Sequence, residues 1–302
     1  GIGEDDVESV RRIAGALNLS HDRAIMHTIT QKFYVDGHGG VVNPRGMKGN
    51  VLALDMLVLH GLTNLMSNSV KVAQNVGVEI VDVAFGGLCS ALATLTREQK
   101  ECGALQIDLG GGATSYVAYA DSAIALAGSL AVGGDHVTSD ISRGLSLSIN
   151  RAETLKKEAG SAVVDPGSQD RTVTVPEEVG FLRNTVTLHD LDTIIHARME
   201  ELLQLIRAEL ERKNLLHSMG AGVILTGGGA RLKGLRDLAE RVFGMPCSIG
   251  RPRDVSGASS MYEGPEFAAL VGMIRYAFRA AKRPARHGGF GGILDALFGR
   301  LY

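Results

Sequence analysis

The stretch 105-LQIDLGGGATSYVAYA-120 decides how the chain is read. An apolar run ends in Asp108, three glycines follow (Gly110, Gly111 and Gly112), then Thr114, then a second alternating run. One reading is a plain β-hairpin whose glycines supply positive φ. The other is a loop whose bare N–H groups converge on an anion. A tight hairpin does not need three glycines. An aspartate beside phosphate needs a cation between them, so in the second reading Asp108 organises Mg²⁺ through its water shell, and Thr114 adds a hydroxyl donor. The commoner phosphate motifs do not fit. A dinucleotide fingerprint needs a helix directly after the glycines, and the P-loop needs Gly-Lys-Ser/Thr, which is absent.

Two other stretches bear on the choice. In 223-VILTGGGARLKGL-235 a buried strand runs into Gly227, Gly228 and Gly229, and a helix is expected over about 231–243. A tight strand-to-helix turn accounts for this, and so does a backbone bare enough for a flat base to lie against it. In 152-AETLKKE-158, Glu153 and Lys156 share one helix face. They read as a solvated surface pair or as hydrogen-bonding groups for a ribose.

Around these motifs the chain alternates strands and helices. Helical spacing of Val7, Val10, Ile13, Ala14 and Leu17 follows an acidic start. Strands are expected at 24–37, 51–60 and 78–85, with a turn at 43–50 and a helix over 62–76. A short helix, 88–95, leads to a polar linker at 96–103. A third strand run at 122–134 follows the opening hairpin; helices are expected at 136–146 and 151–159, and a loop with short strands at 165–180. The clearest helix is 188–213, with Leu188, Leu191, Ile194, Ile195, Met199, Leu202, Leu203, Ile206 and Leu210 on one face. Strand and turn at 245–252 and a helix at 265–281 close the body.

Bulk properties narrow the function. The 302 residues allow two domains or one large one with a well-buried core, and the formal net charge of −2 gives no global field for nucleic acid. Cys89, Cys102 and Cys247 form no CxxC and have no metal-ligand spacing, so reduced thiols are expected. No apolar run reaches the length of a spanning helix, and there is no signal-peptide pattern. At the end, 282-KRPARHGGFGGILDALFGRLY-302 places Phe290, Ile293, Leu294, Leu297, Phe298 and Leu301 on one side of a helix after a glycine-rich joint. Lys282, Arg283, Arg286 and Arg300 flank that face. It reads as a helix docked on the body or as a peripheral anchor for anionic lipid, and the basic flanks and flexible joint favour the anchor.

A strand–Asp-x-Gly-Gly-Gly-x-Thr–strand hairpin, an AExxK helix and a strand–TGGGA–helix, in that order, resemble the second half of the actin, chaperone and sugar-kinase ATPase fold. Within it the chain is similar to the FtsA family of bacterial actin-like cell-division proteins. The likeness runs through 27-HTITQKFYVDG-37, 43-NPRGMKG-49, 84-AFGGLCSALATLT-96, 105-LQIDLGGGATSYVAY-119, 133-GGDHVTSDI-141, 152-AETLKKEAG-160, 224-ILTGGGARLKGL-235 and 271-VGMIRYA-277. It implies an α/β chain with the actin-like ATPase fold, comprising the second lobe, part of the first, and an inserted small α+β subdomain. The corresponding divisions are 1–80 for the extra subdomain, 81–103 for the rest of the first lobe, 104–281 for the nucleotide-binding lobe, and 282–302 for linker and membrane helix. Asp108, Gly110, Gly111, Gly112 and Thr114 would face phosphates and Mg²⁺, with Gly134 in the nearby turn. Glu153 and Lys156 would face the ribose, and Gly227, Gly228 and Gly229 the adenine.

The resemblance also implies a role. The chain would belong to a scaffold that anchors the ring of FtsZ, the tubulin-like division protein, to the cytoplasmic face of the bacterial inner membrane at the division site. It would self-associate into actin-like filaments, meet other division proteins through residues 1–80, touch FtsZ around 230–260, and bind anionic lipid through its tail. ATP with Mg²⁺ would be an assembly ligand of the intact protein, with weak ATPase activity at most and no catalytic base that can be named. The family's first phosphate hairpin has no copy before Gly1, which implies an N-terminally truncated chain holding half of the phosphate clamp. Rival readings are an actin-like pilus-assembly or cell-shape protein and, further off, a phosphotransferase of the sugar-kinase type.

Overall fold

The opening stretch is a hairpin in the computed structural model, which describes residues 1–175, 185–255 and 262–281. Strands β4 (Ala104–Leu109) and β5 (Thr114–Ala120) pair antiparallel, with Asp108 opposite Ser115 and Leu109 opposite Thr114. Among the described residues the chain separates into two compact units: residues 86–122 with 126–273, and residues 1–85 with 123–125 and 274–281.

In the larger unit the hairpin belongs to a five-stranded sheet of order β10-β9-β4-β5-β6, where β6 is Ala123–Leu130, β9 is Val223–Thr226 and β10 is Cys247–Ile249. β4 runs parallel to β9, setting Asp108 beside Thr226, so the two glycine loops leave neighbouring strand ends side by side. Leu105, Ile107 and Leu109 on β4 and Tyr116 and Ala118 on β5 face a helical layer. That layer comprises α5 (Gly134–Leu145), α6 (Ile149–Glu158), α7 (Leu188–Arg212) and α8 (Leu235–Phe243). α7 behaves as its spacing predicts: Leu191, Ile195, Met199, Leu202, Leu203, Ile206 and Leu210 are buried in one continuous core. Thr187 caps it by accepting the Asp190 N–H (3.1 Å). On the other face of β4 and β5 lies α3 (Gly86–Thr94), buried throughout Gly87–Thr94. Of the short strands expected in 165–180, β7 (Thr172–Thr174) lies there, and it pairs antiparallel with β8 (Thr185–Thr187), which lies beyond that range.

The smaller unit contains a three-stranded antiparallel sheet, β2-β1-β3, with β1 Arg23–Val35, β2 His38–Val41 and β3 Leu52–Leu62. Helix α1 (Glu4–Gly15) covers part of it, burying Val7 against Ile2, Phe33 and Val35. Asp6 takes the Gly3 N–H (2.9 Å), closing the start of α1. Helix α2 (Thr63–Asn75) buries none of its residues.

Several expectations need correction. Residues 78–85 alternate like a strand but form none, and two of their backbone donors go to side chains. Val83 N–H donates to Asp82 (2.7 Å), and Phe85 N–H to Nε2 of His27 (2.8 Å). The supposed linker 96–103 is helix α4 (Arg97–Cys102). Its start is a capping box: Gln99 N–H donates to the Thr96 hydroxyl (3.1 Å) and Thr96 N–H to the Gln99 amide oxygen (2.9 Å). Strand β2, an HGGV segment without an apolar pattern, was not legible. After Gly227 the chain makes a 3₁₀ turn over Gly228–Arg231, and α8 begins only at Leu235. The third strand stops at Leu130. Helix α9, Ala268–Ala281, matches the expected body helix.

Candidate functional site

The site is built where β4 and β9 end, the position at which open parallel sheets present ligands. The first loop is laced to the start of α5. Gly110 N–H closes the hairpin on the Ala113 carbonyl (3.0 Å). Gly134 N–H donates to the Gly110 carbonyl and Asp135 N–H to the Gly111 carbonyl, both at 2.9 Å. Those carbonyls satisfy the orphan donors of the helix. Among the described residues the N–H groups of Gly111, Gly112 and Ala113 have no such partner, and all three residues are exposed. A Cβ at Gly112 would meet nothing within 4 Å. A row of free donors on an open loop suits an anion.

Asp108 stands at the foot of this loop, half-buried. Its Oδ2 accepts a hydrogen bond from the hydroxyl of Ser90 on α3. Burial raises its pKa, and the Ser90 hydrogen bond opposes that rise. Nearby, burial and the charge of Asp108 push the Cys89 thiol up to about 12, so this cysteine is a neutral space-filling group.

Thr114 does not face the loop. It shares a strand face with Tyr116 and Ala118, is fully buried, and its hydroxyl donates to the Val132 carbonyl (2.8 Å). The expectation that it donates to phosphate is therefore corrected: the pleat turns Thr114 inward where it turns Asp108 the other way. Gly134 is likewise committed, its N–H to Gly110 and its carbonyl to the Lys156 ammonium (2.8 Å).

Glu153 and Lys156 form neither a solvated pair nor an open ribose clamp. The Lys156 ammonium lies 2.6 Å from Glu153 Oε2, 2.8 Å from the Gly134 carbonyl and 2.7 Å from the Thr138 hydroxyl, which occupies its three donors. Glu153 also holds Lys157 (2.9 Å) and accepts from Thr138. Burial pushes the Glu153 carboxyl upward, but hydrogen bonds from Lys156, Thr138 and Lys157 outweigh it and hold its pKa at about 2. A ribose hydroxyl could enter only by exchanging with one of these bonds.

In the second loop the three glycines differ. Gly227 has φ +82°, and a Cβ there would come within 2.4 Å of Asp108 Oδ1 and 2.5 Å of the Leu109 carbonyl oxygen. Its N–H donates to the Pro265 carbonyl (3.0 Å), so its role is structural. A Cβ at Gly229 would meet Leu109 Cβ at 2.8 Å. Gly228 is exposed, with nothing within 4 Å of where its Cβ would stand. It offers the bare peptide surface that a flat ring requires.

Asp108, Gly111, Gly112, Gly228 and Gly229 thus fit a Mg²⁺–nucleotide, with Glu153 and Lys156 a preformed polar cluster at the start of α5. Sequence reasoning missed Ser90 and Thr138. Their one signal was a hydroxyl within an otherwise buried helix turn. Elsewhere, a groove of 280 Å³ between α7 and α8, lined by His196, Glu200, Arg207 and Arg241, contains none of the glycine-loop residues. Its Arg207 is already bonded to Glu211 (2.8 Å) and to the Val242 carbonyl.

The family profile described as "Cell division protein FtsA" matches residues 105–272, more than half of the chain. The chain belongs to the FtsA family. A second profile, "SHS2 domain inserted in FTSA", matches residues 1–60. The FtsA of Borreliella burgdorferi is 33% identical over 278 residues, covering 91% of this chain and 67% of that protein. The FtsA of Bacillus subtilis is 30% identical, covering 95% of this chain and 64% of that protein. The chain thus spans about two thirds of the length of these FtsA relatives. Among solved structures, the PilM–PilN type IV pilus biogenesis complex aligns with a TM-score of 0.59 at 18% identity, covering 90% of this chain and 72% of that one. MreB5 of Spiroplasma citri bound to ADP aligns with a TM-score of 0.55 at 20% identity, covering 72% and 66%. These likenesses establish the actin-like ATPase fold, and the FtsA sequence match sets cell division above the pilus and cell-shape alternatives.

The tail residues Phe290, Ile293, Leu294, Leu297, Phe298 and Leu301 lie outside the described residues. Among the described residues no helix is long and apolar enough to cross a membrane.

Proposed function

We propose that this chain forms part of a scaffold that ties the FtsZ ring to the cytoplasmic face of the inner membrane at the division site, with ATP and Mg²⁺ as an assembly ligand. Family membership supports the division role. The observation that carries the nucleotide reading is the pair of glycine loops, side by side at the ends of the parallel strands β4 and β9, with Asp108 between them. In this reading the N–H groups of Gly111 and Gly112 meet phosphate oxygens, and Asp108 meets Mg²⁺ through water. The adenine lies over Gly228 and Gly229, and the ribose exchanges into the Glu153–Lys156 cluster. Mg²⁺ would neutralise phosphate charge beside Asp108. Residues 1–80 serve filament and partner contacts. The apolar face of 290–301 enters the lipid interface, drawn by Lys282, Arg283, Arg286 and Arg300.

Vesicle flotation tests the tether. With anionic lipid the chain is expected to float and to carry polymerised FtsZ with it, and Leu297→Asp/Phe298→Asp to leave both at the bottom. Equal flotation of the two proteins would refute the anchor. Flotation without FtsZ would refute the link to the ring.

A further inference from the structure

The Asp108 carboxylate is confined from two sides, and one of the confining groups lies outside both glycine loops. On one side Oδ1 faces the bare Cα of Gly227, where a Cβ would come within 2.4 Å. On the other, Oδ2 accepts the hydrogen bond from Ser90. Ser90 is fully buried in α3 between Cys89 and Ala91. Its hydroxyl also lies 3.0 Å from the Gly86 carbonyl, but it has one proton to give, and the carboxylate is the stronger acceptor. The α3 backbone at this point is pinned by Thr94, whose hydroxyl donates to the Ser90 carbonyl (2.8 Å).

Among the described residues Ser90 is the sole hydrogen-bond donor to Asp108. Gln106, two residues earlier on the same strand face, is fully buried and its amide makes no hydrogen bond. Burying a hydroxyl in a helix interior is unfavourable unless it is hydrogen-bonded, and alanine fills the same space, as it does at Ala91 and Ala93. The Ser90 hydroxyl therefore has a partner-specific role.

We infer that Ser90 is the positioning residue for Asp108: its hydroxyl fixes the orientation of the carboxylate and thereby sets how strongly nucleotide binding depends on Mg²⁺. This rests on the nucleotide reading above, in which Asp108 meets the cation through water. It ties α3, an element outside the recognisable glycine motifs, to the metal side of the site.

The test compares wild type, Ser90→Ala and Ser90→Thr by two measurements. One is the ¹³C resonance of the Asp108 side-chain carboxyl at neutral pH without nucleotide, assigned by its loss in Asp108→Asn. The other is ATP affinity with Mg²⁺ and with EDTA. Ser90→Ala is expected to move the resonance and to weaken Mg²⁺-ATP by about tenfold, the scale of a hydrogen bond to a charged group, leaving the EDTA value unchanged. Ser90→Thr, which keeps the hydroxyl, is expected to restore both. An unmoved resonance in Ser90→Ala would overturn the positioning role. A moved resonance with an unchanged ratio of Mg²⁺ to EDTA affinity would overturn its link to the cation. If wild type binds no ATP in either condition, the nucleotide reading and the cation link fail, while the resonance still decides whether Ser90 holds Asp108.

Discussion

The two compact units are built to different standards. The larger packs both faces of β4 and β5: α5 to α8 bury a continuous core on one side and α3 lies on the other. The smaller has a core cluster of Ile2, Val7, Phe33 and Val35, and a helix, α2, that buries no residue at all. Leu65, Val72 and Val76 stand 61%, 69% and 76% exposed along that helix and its end. Apolar burial scales with stability, so the larger unit is the better-stabilised of the two. The smaller unit leaves apolar side chains of α2 at its surface instead.

The largest effect that sharpens this contrast comes from cutting into α7. Leu203→Ala is expected to cost about 2–5 kcal/mol in denaturant unfolding, since the surrounding core cannot collapse around the lost atoms. Val72→Ser on α2 should change stability by no more than about 0.5 kcal/mol. Similar losses from the two substitutions would break the contrast.

Acid separates the units more gently. His27 in the smaller unit is buried, which lowers its pKa to about 4 against the opposing pull of Asp82. It is neutral when folded, so its contribution is complete above the ordinary value of 6.5 and is lost as pH falls from there through about 4. Glu153 in the larger unit has a folded pKa of about 2, against an ordinary 4.5. Its contribution is complete above about 4.5 and is lost as pH falls through 2. Hydrogen exchange followed by peptide should therefore show β1 and β3 losing protection at a higher pH than α5 and α6. Glu153→Gln should remove the lower step. Loss of protection in both units over one pH range would contradict these assignments.

How much of this was legible in the sequence depended on whether the signal was local. The seven-residue stripe of α7 from Leu191 to Leu210 predicts its own buried face, and the glycines after Asp108 announce an open loop. The Thr96–Gln99 box was equally local and was overlooked. What escaped was long-range. Residues 78–85 have the alternation of a strand, but alternation does not supply a pairing edge, and the His27 ring took one of the N–H groups. Thr114 looked like a ligand because it follows the glycines. Only its pairing opposite Leu109 reveals that it faces the helical layer. Glu153 and Lys156 were found by spacing, but Thr138, which donates to Glu153 and accepts from Lys156, comes from another helix. Ser90 reaches Asp108 across eighteen residues, and no periodicity encodes that contact.

The central claim is that the second glycine loop offers a bare surface to a base, and ATP binding to Gly228→Leu tests it most directly. Nothing lies within 4 Å of a Cβ at that position, so the variant should fold with a melting temperature close to that of wild type. Gly227→Ala is the internal contrast: at φ +82° and within 2.4 Å of Asp108, it should lose about 1–3 kcal/mol or more of stability. The account predicts that Gly228→Leu, stable and correctly folded, weakens Mg²⁺-ATP binding at least about tenfold, a 1.4 kcal/mol effect. A folded Gly228→Leu protein that binds Mg²⁺-ATP with wild-type affinity would contradict it.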